Sequence, residues 1–252
     1  MTKVVSIASQ KGGTGKTSTA ISLAAGLARQ GKSVLLIDID SQANASKVLI
    51  PSYQSDIRKE DTVYRTIIQR LPLPTRETQV LNLNIVPSHI LLSDTDVVLT
   101  TALDHREARL KSHLDRIKDR FDYVFIDCPP ALGWLSINAF TASDEIMVVI
   151  SPGYFELEST IQIGKTIKEV QDNFNSALRM KGFLFTMADS TVNSRTSLKL
   201  LRQTFPEFVF QTVIPRNVDV KDASFKKQDV FTYAPRSAGA QAYQRLLEEL
   251  FP

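Results

Sequence analysis

The chain of 252 residues is 43% hydrophobic and carries a formal net charge of +3. That length and apolar content predict one large α/β domain over residues 1–252, with no need for a second. The charge is too small to choose a partner, the single cysteine, Cys128, excludes an internal disulfide, and no apolar run approaches the roughly 20 residues that span a bilayer.

Met1-Thr2-Lys3 runs into a short apolar segment without the long apolar region and cleavage site of a secretory signal, which predicts a cytosolic protein. The run Val4-Val5-Ser6-Ile7-Ala8 reads as a buried parallel strand, and Thr19 to Arg29 as a helix with apolar residues at Ile21, Leu23, Ala24, Ala25, Leu27 and Ala28. Between them lies Gln10-Lys11-Gly12-Gly13-Thr14-Gly15-Lys16-Thr17-Ser18. A glycine-rich loop between a strand and a helix N-terminus is a phosphate cradle, because unpaired N–H groups and the helix dipole favour an anion. The strict G-x-x-x-x-G-K-[ST] pattern fails at its first position, where Gln10 stands. What remains is K-G-G-x-G-K-T, the deviant form in which Lys11 is the signature residue. Nucleotide contacts are expected from Lys11, Gly12, Gly13, Thr14, Gly15, Lys16, Thr17 and Ser18.

The second strand, Val34 to Ile37, runs into Asp38-Ile39-Asp40. A period of two puts both carboxylates on one side of the strand end, where they suit water activation or a magnesium shell. By themselves they also fit a strand terminus and a helix cap near Gln42. Pro51 to Gln79 is polar and proline-broken apart from a short helix around Val63 to Arg70, and is expected to leave the sheet. Further strands are predicted at Leu83 to Val86 and at Tyr123 to Ile126, the latter ending in Asp127. An apolar strand closed by Asp is the usual magnesium-side partner of a phosphate loop, with Thr17 supplying a hydroxyl ligand. Ile146 to Ile150, Gly182 to Phe185 and Phe208 to Ile214 complete the strands. Their alternation with helical patterns predicts an α/β fold with a mostly parallel sheet flanked by helices on both faces, and the ligand at the strands' carboxyl ends.

Between Arg179 and Lys227 nine basic residues stand against four acidic ones, a local net of +5 that exceeds that of the whole chain. Such a bias suits either the sequence-independent part of nucleic-acid binding or a solvated surface. The strand ending Thr186-Met187-Ala188-Asp189 lacks the lysine of the guanine-reading N/T-K-x-D element, which favours adenine, with Met187 among the expected contacts.

Five blocks in order resemble the ParA/Soj branch of deviant Walker-box ATPases, relatives of MinD and the nitrogenase iron protein. They are Gln10 to Thr17, Leu35 to Ser46 (LLIDIDSQANAS), Phe121 to Asp144, Thr212 to Val218 (TVIPRNV) and Tyr233 to Gly239 (YAPRSAG). The resemblance implies a magnesium-dependent ATPase whose ATP-bound homodimer sandwiches two nucleotides. Lys11 would reach the phosphates held by the other subunit and Lys16 those of its own. Thr17 would bind magnesium, Asp127 would hold its water shell, Asp40 would position the attacking water and Asp38 would support the same metal-bearing site. Pro215, Arg216 and Asn217 would border the adenine. The resemblance further implies non-specific DNA binding, for which Arg195, Lys199, Arg202, Lys221, Lys226 and Lys227 are the candidates. It also implies a small ParB-like or McdB-like adaptor that triggers hydrolysis, and a nucleoid-associated cytoplasmic location.

Two stretches depart from the family pattern: Asp219, where a basic residue is frequent, and Ser151 to Glu158. Two other functions share the fold. A MinD-like membrane regulator ends in a basic amphipathic helix, whereas Ala242 to Pro252 carries two acids and one base. An iron protein needs two cysteine ligands per subunit, and Cys128 stands alone. An amidating synthase remains the metabolic alternative.

Overall fold

The structure, a computed structural model, describes the backbone of residues 1–153 and 156–252 and the side chains of all but residues 154–159. Most of the divergent stretch from Ser151 to Glu158 therefore lies outside the described residues. Eight strands form one sheet: β1 (Lys3–Ala8), β2 (Val34–Asp38), β3 (Arg76–Glu77), β4 (Leu83–Val86), β5 (Tyr123–Asp127), β6 (Glu145–Ile150), β7 (Arg179–Ala188) and β8 (Val209–Pro215). Their order is β3-β4-β2-β5-β1-β6-β7-β8. Every pairing is parallel except β3 on β4, so each predicted apolar run is a strand and the sheet is mostly parallel as expected.

The helices are α1 (Lys16–Arg29), α2 (Asn44–Leu49), α3 (Tyr53–Asp56), α4 (Val63–Ile67), α5 (Thr95–Thr100) and α6 (Arg109–Leu114), followed by α7 (Trp134–Ala142), α8 (Glu156–Asn173), α9 (Val192–Thr204), α10 (Val218–Phe225), α11 (Val230–Tyr233) and α12 (Ala238–Leu250). They cover both faces of the sheet. Alternate strand residues feed two separate cores: Val5, Ile7 and Phe125 join one with α1 and α12, while Val4, Val124 and Ile126 join the other with α6 and α7. Burial on both sides is why these strands read as unbroken apolar runs.

The stretch from Pro51 to Gln79 does not stay outside the sheet as expected. Arg76–Glu77 returns to the sheet and pairs antiparallel with Asn84 and Ile85, adding an edge strand that two charged, exposed residues could not announce. Charge on a short edge strand discourages further pairing with another chain. The helix expected to Arg70 stops at Ile67, and the helix expected near Gln42 begins only at Asn44.

Helix α12 lies against α1, where a Cβ built on Gly26 would fall 2.2 Å from Leu247 Cδ1. Glycine at that point lets the two helices approach closely. Ala242, Tyr243, Leu246 and Leu247 are all at most 1% exposed, so the apolar face of this C-terminal helix is turned into the core. Leu246→Ala is expected to cost about 2–5 kcal/mol, read as a lower denaturant midpoint with an unchanged m-value.

Candidate functional site

The phosphate loop is shaped by two residues with left-handed backbone, Gly13 at φ 78° and Gly15 at φ 88°. Gly15 is the N-cap of α1 and offers no side-chain cap, which leaves the first N–H groups of the helix available to an anion. Within the loop, the Lys16 ammonium donates to the Lys11 carbonyl at 3.4 Å and the Thr14 hydroxyl donates to the same oxygen at 3.5 Å. Both contacts are at the long limit for a hydrogen bond, so incoming phosphate oxygens replace them at little cost. From behind, Thr186 donates to the Thr14 carbonyl at 2.6 Å and ties the loop to β7. Lys16 is buried in the cradle, whereas Lys11, Gly12 and Gly13 are exposed at its tip.

Strand order assembles the carboxylates. Because β5 lies between β2 and β1, Asp127 is the register partner of Asp38 on one side and of Ile7 on the other. Both Asp38 and Asp127 are fully buried. Asp38 accepts from the Ser46 N–H at 2.9 Å, the Ser46 hydroxyl at 2.7 Å and the Asp40 N–H at 3.2 Å. Burial nevertheless pushes its pKa up to about 7, against those hydrogen bonds and together with the charge of Asp40. Neither oxygen of Asp127 has a hydrogen-bond partner. Burial, followed by the charge of Asp38, raises its pKa well above the ordinary range, while nearby Thr17 and Lys16 act in the opposite direction. A buried carboxylate without a partner is costly unless a cation balances it.

The two acids therefore divide. Asp38, expected at the metal, is engaged with Ser46 and the backbone of Asp40, and Asp127 is the one with open lone pairs. Magnesium keeps most of its waters and takes few protein ligands, so one carboxylate beside one threonine hydroxyl fits that ion. Asp40 is 7% exposed, and its Oδ1 accepts from the Gln42 N–H at 2.9 Å in a turn rather than capping a helix. Cys128 is buried, and burial pushes its thiol pKa up, which makes it an inert core residue.

A cleft of about 860 Å³ is lined by Gly15, Thr17 and Ser18 from the end of the loop and by Met187, Pro215, Arg216 and Asn217, so part of the expected phosphate site and the residues expected at the base share one cavity. Asn217 also caps α10 by accepting from the Val220 N–H, which explains how the Pro-Arg-Asn turn is held in place. Sequence reasoning missed other lining residues, Lys47 on α2, Tyr53 on α3 and Phe225 at the end of α10. Only the adjacency of α2 to Asp40 hinted at them.

The six basic candidates separate. Arg195, Lys199 and Arg202 are exposed on α9, and Lys226 is exposed at the end of α10. Lys221 and Lys227 are exposed as well but line the cleft, and the Lys227 ammonium donates to the Pro51 carbonyl at 2.7 Å. With Lys47 and Arg216 they give the cleft wall four basic side chains and, among its lining residues, no acidic one. That field favours a polyanionic ligand.

A family model described as an AAA domain matches residues 2–180. The sporulation initiation inhibitor protein Soj of Bacillus subtilis is 38% identical over 99% of this chain and 98% of its own length. The chromosome-partitioning ATPase Soj of Treponema pallidum is 37% identical over 99% of this chain and 97% of its own. Among solved structures, cobyrinic acid a,c-diamide synthase from Mycobacterium smegmatis with bound ADP and magnesium superposes with a TM-score of 0.82 at 30% identity, covering 98% of this chain and 93% of that one.

Proposed function

The chain belongs to the ParA/Soj family of partition ATPases, and from that premise we propose that it is an ATP-driven dimerisation switch that binds DNA and positions a cargo. The observation that carries this proposal is the buried, unpartnered Asp127 at the foot of a phosphate loop whose second lysine, Lys11, stands exposed at the tip. ATP lies in the basic cleft with its phosphates on the loop and its adenine between Met187 and the Pro215–Asn217 turn. Lys16 grips the phosphates of its own subunit. Thr17 and the water shell held by Asp127 receive magnesium, which neutralises charge on the β- and γ-phosphates. Asp40 orients the attacking water, and Lys11 supplies charge to the transition state in the partner subunit, as an arginine finger does. Hydrolysis therefore requires assembly, and a small ParB-like or McdB-like adaptor stimulates it.

The cargo is a plasmid, a chromosome origin or a protein compartment. A membrane-bound regulator is less compatible, because α12 buries its apolar residues instead of presenting them to lipid. Among the described residues no helix is long and apolar enough to cross a membrane. An amidating synthase shares the fold and the nucleotide chemistry, but an exposed trans-acting lysine is better suited to a switch.

DNA binding by the purified protein with ATP, ADP or no nucleotide is the direct test. Binding is expected with ATP alone and should weaken steeply with salt, because phosphate contacts release counterions. Charge reversal at Lys199 and Lys226 should lower the salt slope by about 1 for each DNA phosphate that is no longer neutralised. Equal DNA binding with and without ATP would remove the switch.

A further inference from the structure

Resting on the assignment of Asp40 to the attacking water, we propose that Ser46 and Ser88 are positioning residues that hold the Asp40 turn in its hydrolytic geometry. Both serines are fully buried, and they link the end of β2 and the first turn of α2, close together in sequence, to the chain just after β4, about forty residues further on. The Ser46 hydroxyl donates to Asp38 at 2.7 Å and accepts from the Ser88 N–H at 2.9 Å. The Ser88 hydroxyl in turn donates to the Asp40 carbonyl at 2.5 Å. That carbonyl also accepts from the Ala43 N–H at 2.8 Å, which closes the turn from the other side. Asp38 completes the ring by accepting from the Asp40 N–H at 3.2 Å. The backbone of Asp40 is thus gripped at both its N–H and its C=O by buried groups.

The direction of each hydrogen bond is dictated. Asp38 accepts from Ser46, so the Ser46 proton points to the carboxylate and its lone pair is left for the Ser88 N–H. Ser88 has its N–H committed to Ser46, and its hydroxyl reaches the Asp40 carbonyl. A second fastening comes from Tyr53, whose hydroxyl donates to the Ser88 carbonyl at 2.7 Å, so the wall of the nucleotide cleft is joined to the same unit. A ring of satisfied buried hydrogen bonds is rigid, and outer partners of this kind set the orientation of the group that touches the reactant. The Asp40 side chain accepts from the Gln42 N–H within its own turn, so its aim depends on how the turn is held. The hydroxyls of Ser46 and Ser88 are both engaged within this ring.

Ser46→Ala and Ser88→Ala are each expected to lower kcat for ATP hydrolysis by about 10- to 100-fold with KM for ATP within about twofold. Ser46→Thr, which keeps the hydroxyl, should restore most of the rate. The decisive measurement is the double variant: in an Asp40→Ala background, Ser46→Ala should lower the residual rate no further, because residues acting as one unit are not additive. Independent losses in the double variant, or a kcat for both single variants equal to that of the parent, would overturn the proposal. Should Ser46→Ala fail to fold, Ser88→Ala carries the same cycle. Full hydrolysis by Asp40→Ala alone would instead refute the role of Asp40 on which the proposal stands, so the two failures are separable.

Discussion

Lys11→Ala is expected to abolish ATP-dependent dimerisation and to reduce hydrolysis by on the order of 10³-fold or more, the range spanned by a cation supplied in trans to a transferring phosphoryl group. The fold should be untouched. Lys11 is exposed, and a Cβ built on Gly12 or Gly13 meets no atom within 4 Å among the described residues. Two glycines with open space beside them let a second subunit approach the backbone closely. ATP binding by the monomer should survive, because Lys16, the uncapped start of α1 and the basic cleft remain. Sedimentation or light scattering with ATP and magnesium, together with a nucleotide-binding titration, separates the two effects. A variant that still dimerises with ATP would show that Lys11 acts within its own subunit.

Asp40→Ala is expected to slow hydrolysis by about 10²- to 10⁴-fold while leaving ATP binding and dimer formation intact, so the ATP-bound dimer should persist rather than vanish. At 1.36 kcal/mol per decade that is about 2.7–5.4 kcal/mol of transition-state stabilisation. The contrast with Lys11 is the informative part: one variant loses the assembly, the other loses its release. Asp38→Ala should behave differently from both. Its carboxylate accepts three hydrogen bonds in a fully buried place, so its removal frees the Ser46 hydroxyl and N–H and the Asp40 N–H at once and costs stability as well as rate. Single-turnover hydrolysis and thermal unfolding on the same samples distinguish the two aspartates.

Much of the site was legible as spacing. Lys11, Lys16 and Thr17 lie on one continuous loop, and a strand followed by glycines and a helix has few ways to fold. Asp38, Asp40 and Asp127 could each be placed at a strand's carboxyl end from the apolar run before it. What spacing could not tell was which acid does what. Asp38 and Asp127 look alike in sequence, each the last residue of an apolar strand, yet one accepts three hydrogen bonds and the other accepts none. The difference comes from Ser46, eight residues beyond Asp38, whose approach depends on the turn at Asp40 and the left-handed backbone of Ala43 at φ 52°. The basic stretch near the C-terminus was likewise visible as a charge excess and invisible as a surface. Of the three lysines on α10 and its end, Lys221 and Lys227 line the cleft and Lys226 does not, and the chain turns between the last two through the left-handed backbone of Lys227 at φ 56°.

By itself the sequence determined the class of protein, the loop that receives phosphate and the strands of the parallel sheet, because those are local properties of periodicity, glycine placement and apolar runs. Only the tertiary structure decided which strands are neighbours. The order β2-β5-β1 brings Asp38 and Asp127 into register beside the phosphate loop, although 89 residues separate them in the chain. Strand order is a matter of long-range pairing and helix packing on two faces, and no single segment encodes it. The same packing left Asp127 without a partner, turned the apolar face of α12 inward and joined β3 to the sheet edge.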